Sequence, residues 1–162
     1  MVAAFGEIGA LLDEMGVEHE LSPQGFYVVV LPGTHKLRTT VNLIPGEHSL
    51  RIEAFVVRHP DGNHEEVWAW LLRRNARMYG VSFSIDQAGD VYLTGRVPLA
   101  AVDAGELDKL LGSVLSYADE SFDTLLELGF SDAIRREWAW RISRGESTDN
   151  LRAFQHLAPP SA

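Results

Sequence analysis

Cysteine is absent from this sequence of 162 residues, and lysine is almost absent, since Lys36 and Lys109 are the only two. Without a thiol, the chain can form no disulfide, cannot bind zinc or an iron–sulfur cluster through sulfur, and has no thiol nucleophile. Such a composition fits a reducing compartment. Neither lysine follows a glycine-rich turn, which excludes a phosphate-binding loop of the Walker type.

Long apolar runs and a basic leader are also missing. No run approaches the ~20 apolar residues that span a bilayer. Residues 1–15 carry acidic but no basic side chains, whereas a secretory signal has a positive start. We therefore expect a cytoplasmic protein with no membrane segment. The net charge of -9, from 23 acidic and 14 basic residues, argues against nucleic acid as a partner, because phosphate contacts supply most of that affinity.

Motifs of common active sites are missing as well. No Gly-x-Ser-x-Gly segment occurs, and the position four residues after His64 is Trp68, so the metalloprotease signature lacks its second ligand. His59, Asp61 and His64 could meet around a turn and hold a metal, but solvated histidines beside a tight turn are the simpler interpretation. We predict no metal, no cofactor and no catalytic residue, and hence a protein that is not an enzyme.

Apolar periodicity divides the chain into helices and strands. Their order is α-βββ-α-ββ-α-α, which predicts an α+β fold with a five-stranded antiparallel sheet and helices packed on it. We expect one domain over residues 1–145 and a polar, partly mobile tail over residues 146–162. The predicted elements are helix 2–15, strands 26–31, 37–44 and 49–57, helix 63–79, strands 81–85 and 91–93, helix 103–128, and a last helix from residue 131 to about 144.

Side chains at the predicted helix starts and on one helix face have simple interpretations. Asn63 and Asp103 each precede a glutamate by three residues, as in a capping box. Asp119, Asp123 and Glu127 repeat every four residues, opposite a leucine stripe. A charge run at this spacing is typical of the solvated face of a helix.

Two predicted helices contain the triplet Trp-Ala-Trp, which begins at Trp68 in one and at Trp138 in the other. Residues two apart on a helix are separated by about 200°, so both members of a pair cannot face one core. Trp68 and Trp138 share an arc with apolar neighbours. Trp70 and Trp140 are therefore expected to point away from these arcs.

Arginines surround both of these outward tryptophans. Tryptophan and arginine are enriched at binding hot spots, and a guanidinium can stack on an indole until a partner carboxylate takes its donors. The alternatives are that the tryptophans pack under a loop or against a neighbouring helix, or are buried in a homodimer. The candidate partner-binding residues are Trp70, Arg73, Arg74, Arg77, Arg136, Trp140 and Arg144.

Three segments make the chain resemble the YbjN-domain family in its actinobacterial form. They are WAWLLRRNARMYG at residues 68–80, VSFSIDQAGDVYLTGRVPL at 81–99 and LLELGFSDAIRREWAWR at 125–141. The resemblance implies a fold like that of type III secretion class I chaperones, which are small acidic homodimers that bind segments of other proteins. The family has no established catalytic residues, so the resemblance supplies none.

Two functions remain in view. The first is a non-enzymatic protein-binding module, chaperone-like or regulatory, that acts as a homodimer on a protein partner. The second is a small-ligand sensor or carrier with a pocket between the sheet and the long helix. Aromatic residues that could line such a pocket, or simply fill the core, are Phe26, Phe55, Phe83, Tyr92 and Phe122.

Overall fold

The computed structural model describes residues 5–161, so the predicted helical residues 2–4 lie outside the described residues. The predicted α+β class is confirmed, and the order differs from the expected one by an additional first strand and by one long helix in place of the last two. The elements are α1 (Phe5–Glu14), β1 (Glu20–Leu21), β2 (Tyr27–Pro32), β3 (Arg38–Pro45), β4 (Ser49–Val57), α2 (His64–Asn75), β5 (Ser82–Ile85), β6 (Val91–Pro98), a 3-10 turn (Leu99–Ala101), α3 (Ala104–Arg144) and a C-terminal 3-10 segment (Asp149–Leu157).

The sheet has six antiparallel strands in the order β1-β2-β3-β4-β6-β5, one more than predicted. The additional strand β1 is two residues long and pairs Glu20 with Val28 and Leu21 with Tyr27. Two residues are too few to show an alternating pattern, which is why the sequence does not reveal this strand. β1 and β5 form the two edges of the sheet.

One face of the sheet packs against the helices and forms the core. Residues of β4 alternate, with Leu50, Ile52 and Ala54 buried between more exposed neighbours. The hydrophobic effect drives this packing, since full burial of a leucine-sized side chain contributes roughly 1.5–3 kcal/mol. The buried helical residues that cover this face include Ile8 and Leu12 of α1, Val67 and Leu71 of α2, and Leu107, Leu110, Val114, Ala118 and Leu125 of α3.

The predicted cap at Asp103 is confirmed, but the one at Asn63 is wrong. Asp103 precedes α3, and its Oδ1 accepts from the backbone N–H of Glu106 at 2.8 Å. Asn63 has a φ of 59° and makes no side-chain cap. Its Nδ2 instead donates to the Leu128 carbonyl at 3.1 Å, because the left-handed backbone turns the side chain toward α3.

The long helix α3 replaces the two helices predicted on either side of Gly129. Only Phe130 departs from helical geometry, with φ -136° and ψ 22°. The carbonyl of Gly129 accepts from the backbone N–H groups of Asp61 and Gly62 at 3.0 and 3.3 Å. A Cβ at Gly129 would lie 2.7 Å from Cβ of Pro60. Because Gly129 has no side chain, the loop between β4 and α2 can pack against α3 at this point. The helix is kinked here but does not end.

The segment after Gly145 folds back onto the last turns of α3. Leu151 and Phe154 of the C-terminal 3-10 segment are buried beside Ile134 and Trp138. The indole N–H of Trp138 donates to the Phe154 carbonyl at 3.1 Å. Within residues 5–161, no helix is both long and apolar enough to cross a membrane. The division into a domain and a tail at residue 145 stays a prediction.

Candidate functional site

An apolar groove lies where the C-terminal end of β4 meets α3, and we call it the β4–α3 groove. Its volume of about 550 Å³ falls within the usual range for ligand sites. The C-terminal 3-10 segment contributes part of its wall. The apolar lining includes Phe55 of β4, Phe122, Leu126, Phe130 and Ile134 of α3, and Phe154.

Lys36, in the loop between β2 and β3, is the cation of this groove. Its Nζ lies 5.1 Å from the ring centre of Phe122 and 5.7 Å from that of Phe55. Within residues 5–161, no carboxylate lies within ion-pair distance of this amine. Burial lowers the pKa of Lys36, as expected for an ammonium removed from water without a counter-ion. Aromatic faces stabilise the cation in part, and an incoming anion would complete its environment.

The other charged residues of the groove already have partners. Arg58 lies 4.5 Å from the ring centre of Phe130, and its Nη1 donates to Asp61 Oδ1 at 2.7 Å. Glu137 Oε1 accepts from the Nε of Arg141 at 2.6 Å. Lys36 is therefore the group in the groove with unused capacity for an anionic ligand.

A carboxylate of α3 holds the loop that carries Lys36, the β2–β3 loop. Asp119 Oδ1 accepts from the backbone N–H groups of Thr34, His35 and Lys36 at 2.9, 2.8 and 3.0 Å. Burial would raise the pKa of Asp119, but these three hydrogen bonds and the nearby His35 outweigh it, so the pKa is lowered. Asp119 thus has a tertiary role that its interpretation as part of a solvated face misses.

The next two carboxylates along this face of α3 also make tertiary contacts. Asp123 Oδ2 lies 2.6 Å from His35 Nδ1, and Glu127 Oε1 lies 2.6 Å from His156 Nε2. Asp123 therefore reaches the β2–β3 loop, while Glu127 reaches the C-terminal 3-10 segment. The regular spacing of acidic residues marks the side of α3 that docks both segments around the groove.

Trp70 lies against the sheet rather than pointing away from the core. It is half-buried, and its indole centre is 6.2 Å from the ring centre of Phe83 on β5. Arg74 lies over the same indole at 5.5 Å and pairs with Glu120 at 3.6 Å. Leu72, on another side of α2, is 70% exposed. The edge strand β5 supplies a second packing surface for α2, which helical periodicity alone does not reveal.

Trp140 is exposed as expected, with 47% of its surface accessible, while Trp138 is buried. Arg144 lies over the Trp140 ring at 5.1 Å, and Arg136 is exposed nearby on α3. The two predicted arginine–tryptophan sets lie on different helices, since Arg73 and Arg77 follow Trp70 at the end of α2 or just after it. Their role in partner binding stays a prediction.

The side of the molecule formed by α2 and β5 exposes several apolar side chains, and we call it the α2–β5 side. Leu72 of α2 and Ile85 of β5 are 70% and 49% exposed, and Tyr79, which follows α2 and contacts α3, is 46% exposed. β5 is an edge strand, so one side of its backbone is unpaired. This combination is typical of a surface that pairs with another chain.

The two histidines considered as metal ligands lie together, whereas Asp61, which stands between them in the sequence, has a different partner. Asp61 pairs with Arg58, whereas the Nε2 atoms of His59 and His64 lie 3.1 Å apart. No three His, Cys, Asp or Glu side chains of residues 5–161 form a metal-binding cluster. The three residues therefore do not come together as one set, although the two histidines lie side by side.

Comparison with known proteins identifies a family and a fold. The YbjN family, described as "Putative bacterial sensory transduction regulator", matches residues 6–127. The uncharacterized protein Rv0487 of Mycobacterium tuberculosis strain H37Rv is 56% identical over 132 residues, which cover 82% of this chain and 72% of that protein. The uncharacterized protein ML2442 of Mycobacterium leprae is 55% identical over 130 residues, which cover 80% of this chain and 71% of that protein.

Solved structures share the fold at low sequence identity. The ExsC–ExsE complex matches with a TM-score of 0.55 at 20% identity, covering 75% of this chain and 95% of that one. The Yersinia pestis type III secretion chaperone SycH, solved with a fragment of YscM2, matches with a TM-score of 0.54 at 17% sequence identity, covering 71% of this chain and 97% of that one. YbjN from E. coli matches with a TM-score of 0.55 at 13% sequence identity, covering 75% of this chain and 92% of that one. The chain thus has the chaperone-like fold that the sequence resemblance implies.

Proposed function

The chain belongs to the YbjN family, and on that premise we propose that it is a non-enzymatic protein-binding module, chaperone-like or regulatory, that acts in the cytoplasm. Its β4–α3 groove holds an apolar segment of a partner protein. A carboxylate next to that segment, from an aspartate, a glutamate or the chain terminus, pairs with Lys36.

The observation that carries this proposal is a lysine held in an apolar groove without a carboxylate. Desolvating an ammonium is unfavourable, and an opposite charge brought by a ligand offsets that penalty. The surrounding phenyl rings provide apolar area for the rest of the ligand. An anchor of this kind selects a segment by charge as well as by shape, which suits recognition of one part of another protein.

Solved complexes with the same fold support a protein as the occupant. ExsC was solved with ExsE, and SycH with a fragment of YscM2. These proteins are alike in fold to the present chain, and their complexes establish that the architecture can accommodate a protein ligand. The exposed Trp140, with Arg136 and Arg144, offers a second contact area for the same partner.

Site-specific cross-linking tests the groove. A photoreactive benzoylphenylalanine is placed at Phe55, which lines the groove and is 39% exposed, and in a second protein at Trp140. In lysate of the source organism, we expect light to attach one protein to position 55, through an apolar segment that includes a carboxylate. Attachment only at position 140 would show that the partner binds at Trp140, Arg136 and Arg144 and not in the groove. Attachment at neither position would contradict the proposal.

A carrier of small amphipathic carboxylates is the second candidate function. The groove volume of about 550 Å³ and the single lysine over two aromatic rings favour it. Native mass spectrometry of untagged protein separates the two functions. A stoichiometric small adduct that disappears on mild activation would support the carrier, whereas a second polypeptide would support the binding module.

We also propose that the chain forms a homodimer through the α2–β5 side, where apolar residues flank an edge strand. An Ile85→Lys variant is expected to be monomeric, because the dimer would bury an unpaired charge and the edge strand would repel its copy. Native mass spectrometry or light scattering measures the change. Leu37→Lys is the matched control, since Leu37 is 72% exposed in the β2–β3 loop. A dimer that survives in the Ile85 variant would contradict this choice of face.

A further inference from the structure

Two imidazoles meet at the loop between β4 and α2. The Nε2 atoms of His59 and His64 are 3.1 Å apart, and the ring centres are separated by 4.8 Å with the planes at 50°. Both rings stack on Trp68, at 6.4 and 6.0 Å between centres and with interplanar angles of 28° and 25°. The His64 Nε2 atom also lies 2.7 Å from the Pro60 carbonyl oxygen.

These two distances fit a shared metal ion better than a linear hydrogen bond. A linear N–H···N bond of this length would place the ring centres about 5.4 Å apart. Consider an ion about 2.05 Å from each Nε2 atom, placed on the line that runs from the centre of the ring through that nitrogen, with the centre roughly 1.15 Å from the nitrogen. The observed separation of the nitrogens then gives an N–ion–N angle of about 100° and ring centres about 4.8 Å apart. The observed separation of the ring centres is 4.8 Å.

The loop that carries this pair is fixed before any ion binds. The backbone N–H of His59 donates to Asp90 Oδ1 at 2.7 Å, and those of Asp61 and Gly62 donate to the Gly129 carbonyl. A Cβ at Gly89 would lie 3.0 Å from the His59 ring, so that side of the ring is closely covered. Ligands held in place by their surroundings lose little freedom on binding.

We propose that His59 and His64 bind a divalent transition-metal ion of the zinc, nickel and copper class. Imidazole suits these ions, and the Pro60 carbonyl oxygen lies where a third donor can join, with water completing the shell. In the ion-free protein the Nε2–H of His64 donates to the Pro60 carbonyl at 2.7 Å. Ion binding therefore replaces this hydrogen bond and places the His64 proton on Nδ1. Asp90, whose Oδ1 accepts from the backbone N–H of His59, places a negative charge beside the pair, whereas Asp61 is already paired with Arg58. This site is independent of the β4–α3 groove.

Titration of the untagged protein with Ni²⁺ tests the site. We expect one ion per chain, with a Kd of about ten micromolar or tighter by calorimetry, and quenching of Trp68 fluorescence by the paramagnetic ion. His59→Gln and His64→Gln should each weaken binding at least tenfold. His48→Gln is the control, because the His48 side chain is exposed in another turn and, in the described part of the chain, pairs only with Glu47.

A Trp68→Phe variant locates the ion without altering the two histidines. It should bind Ni²⁺ as the parent does but lose most of the quenching. Absence of saturable binding below a millimolar concentration would overturn the site. Equal weakening by His48→Gln, or undiminished quenching in Trp68→Phe, would also overturn it, because either result places the ion elsewhere. Circular dichroism verifies that each variant is folded.

Discussion

A Lys36→Met variant is expected to bind an amphipathic anion at least tenfold more weakly than the parent while resisting unfolding equally well or better. A hydrogen-bonded ion pair with a charged group contributes about 1.5–3 kcal/mol, and each 1.4 kcal/mol is about a tenfold change in affinity. Methionine has a similar length and keeps contact with the phenyl rings through its thioether. The probe is 8-anilino-1-naphthalenesulfonate, whose fluorescence reports binding to an apolar groove.

The stability part of this prediction follows from the direction of the lysine pKa. Burial lowers the pKa of Lys36 below its usual 10.5, so the folded state holds its proton less firmly than the unfolded state does. Stability is therefore reduced while the amine is charged, and it recovers as the pH rises through the lowered pKa toward 10.5. Methionine removes this penalty at neutral pH.

Lys109 provides a matched control, because it is the other lysine of the chain. It lies 5.3 Å from the ring centre of Tyr79 and 3.8 Å from Glu106 Oε2, so its amine already has a carboxylate partner. Lys109→Met should bind the probe as the parent does. Equal binding by both variants would show that Lys36 is not the anion anchor, and a marked loss of stability in Lys36→Met would make it a structural residue.

Replacement of Asp119 by alanine is expected to destabilise the protein by about 2 kcal/mol and to loosen the β2–β3 loop. The substitution leaves three backbone N–H groups without the carboxylate that binds them, and hydrogen bonds to charged groups contribute about 1.5–3 kcal/mol. Chemical denaturation at pH 7 measures the loss. Hydrogen exchange should accelerate at Thr34, His35 and Lys36 first.

The same anchor predicts a pH dependence that Asp119→Asn isolates. The pKa of Asp119 is lowered on folding, so the carboxylate stabilises the protein fully above its usual 3.8 and loses this contribution as the pH falls through the lowered value. The stability difference between the parent and Asp119→Asn should shrink as the pH falls below about 4, where Asp119 becomes protonated. Glu120→Gln is the control, because Glu120 is the next residue, is exposed, and among residues 5–161 forms an ion pair only with Arg74. A constant difference down to pH 3 would contradict the anchor.

Most of the fold could be predicted from the sequence because its signals are local. Alternation in β4 and the apolar stripe of α3 follow from burial of one face, and Asp103 caps its helix through a contact three residues away. The strand β1 is too short to show a pattern, whereas the continuity of α3 through Phe130 depends on partners distant in sequence, the backbone N–H groups of Asp61 and Gly62. A local pattern carries no information about those partners.

The groove was predictable only in part for the same reason. Phe55 and Phe122 were expected as possible pocket residues, and both line the groove. No sequence pattern indicated Lys36. Its significance is that no carboxylate of residues 5–161 lies within ion-pair distance of its amine, and this can be seen only in the folded chain. Trp70 differs from Lys36, because the sequence did single it out. Helical geometry predicted on which side of α2 its side chain lies, but not that the strand β5 covers that side.

The C-terminal 3-10 segment gives the groove a dependence on the order of synthesis. Phe154 forms part of the wall, whereas Lys36 and Phe55 lie much earlier in the chain. A chain emerging from the ribosome therefore exposes the lysine and the floor of the groove long before the wall exists. Under the proposed function, the groove can hold its ligand fully only after Phe154 has left the exit tunnel and packed against α3.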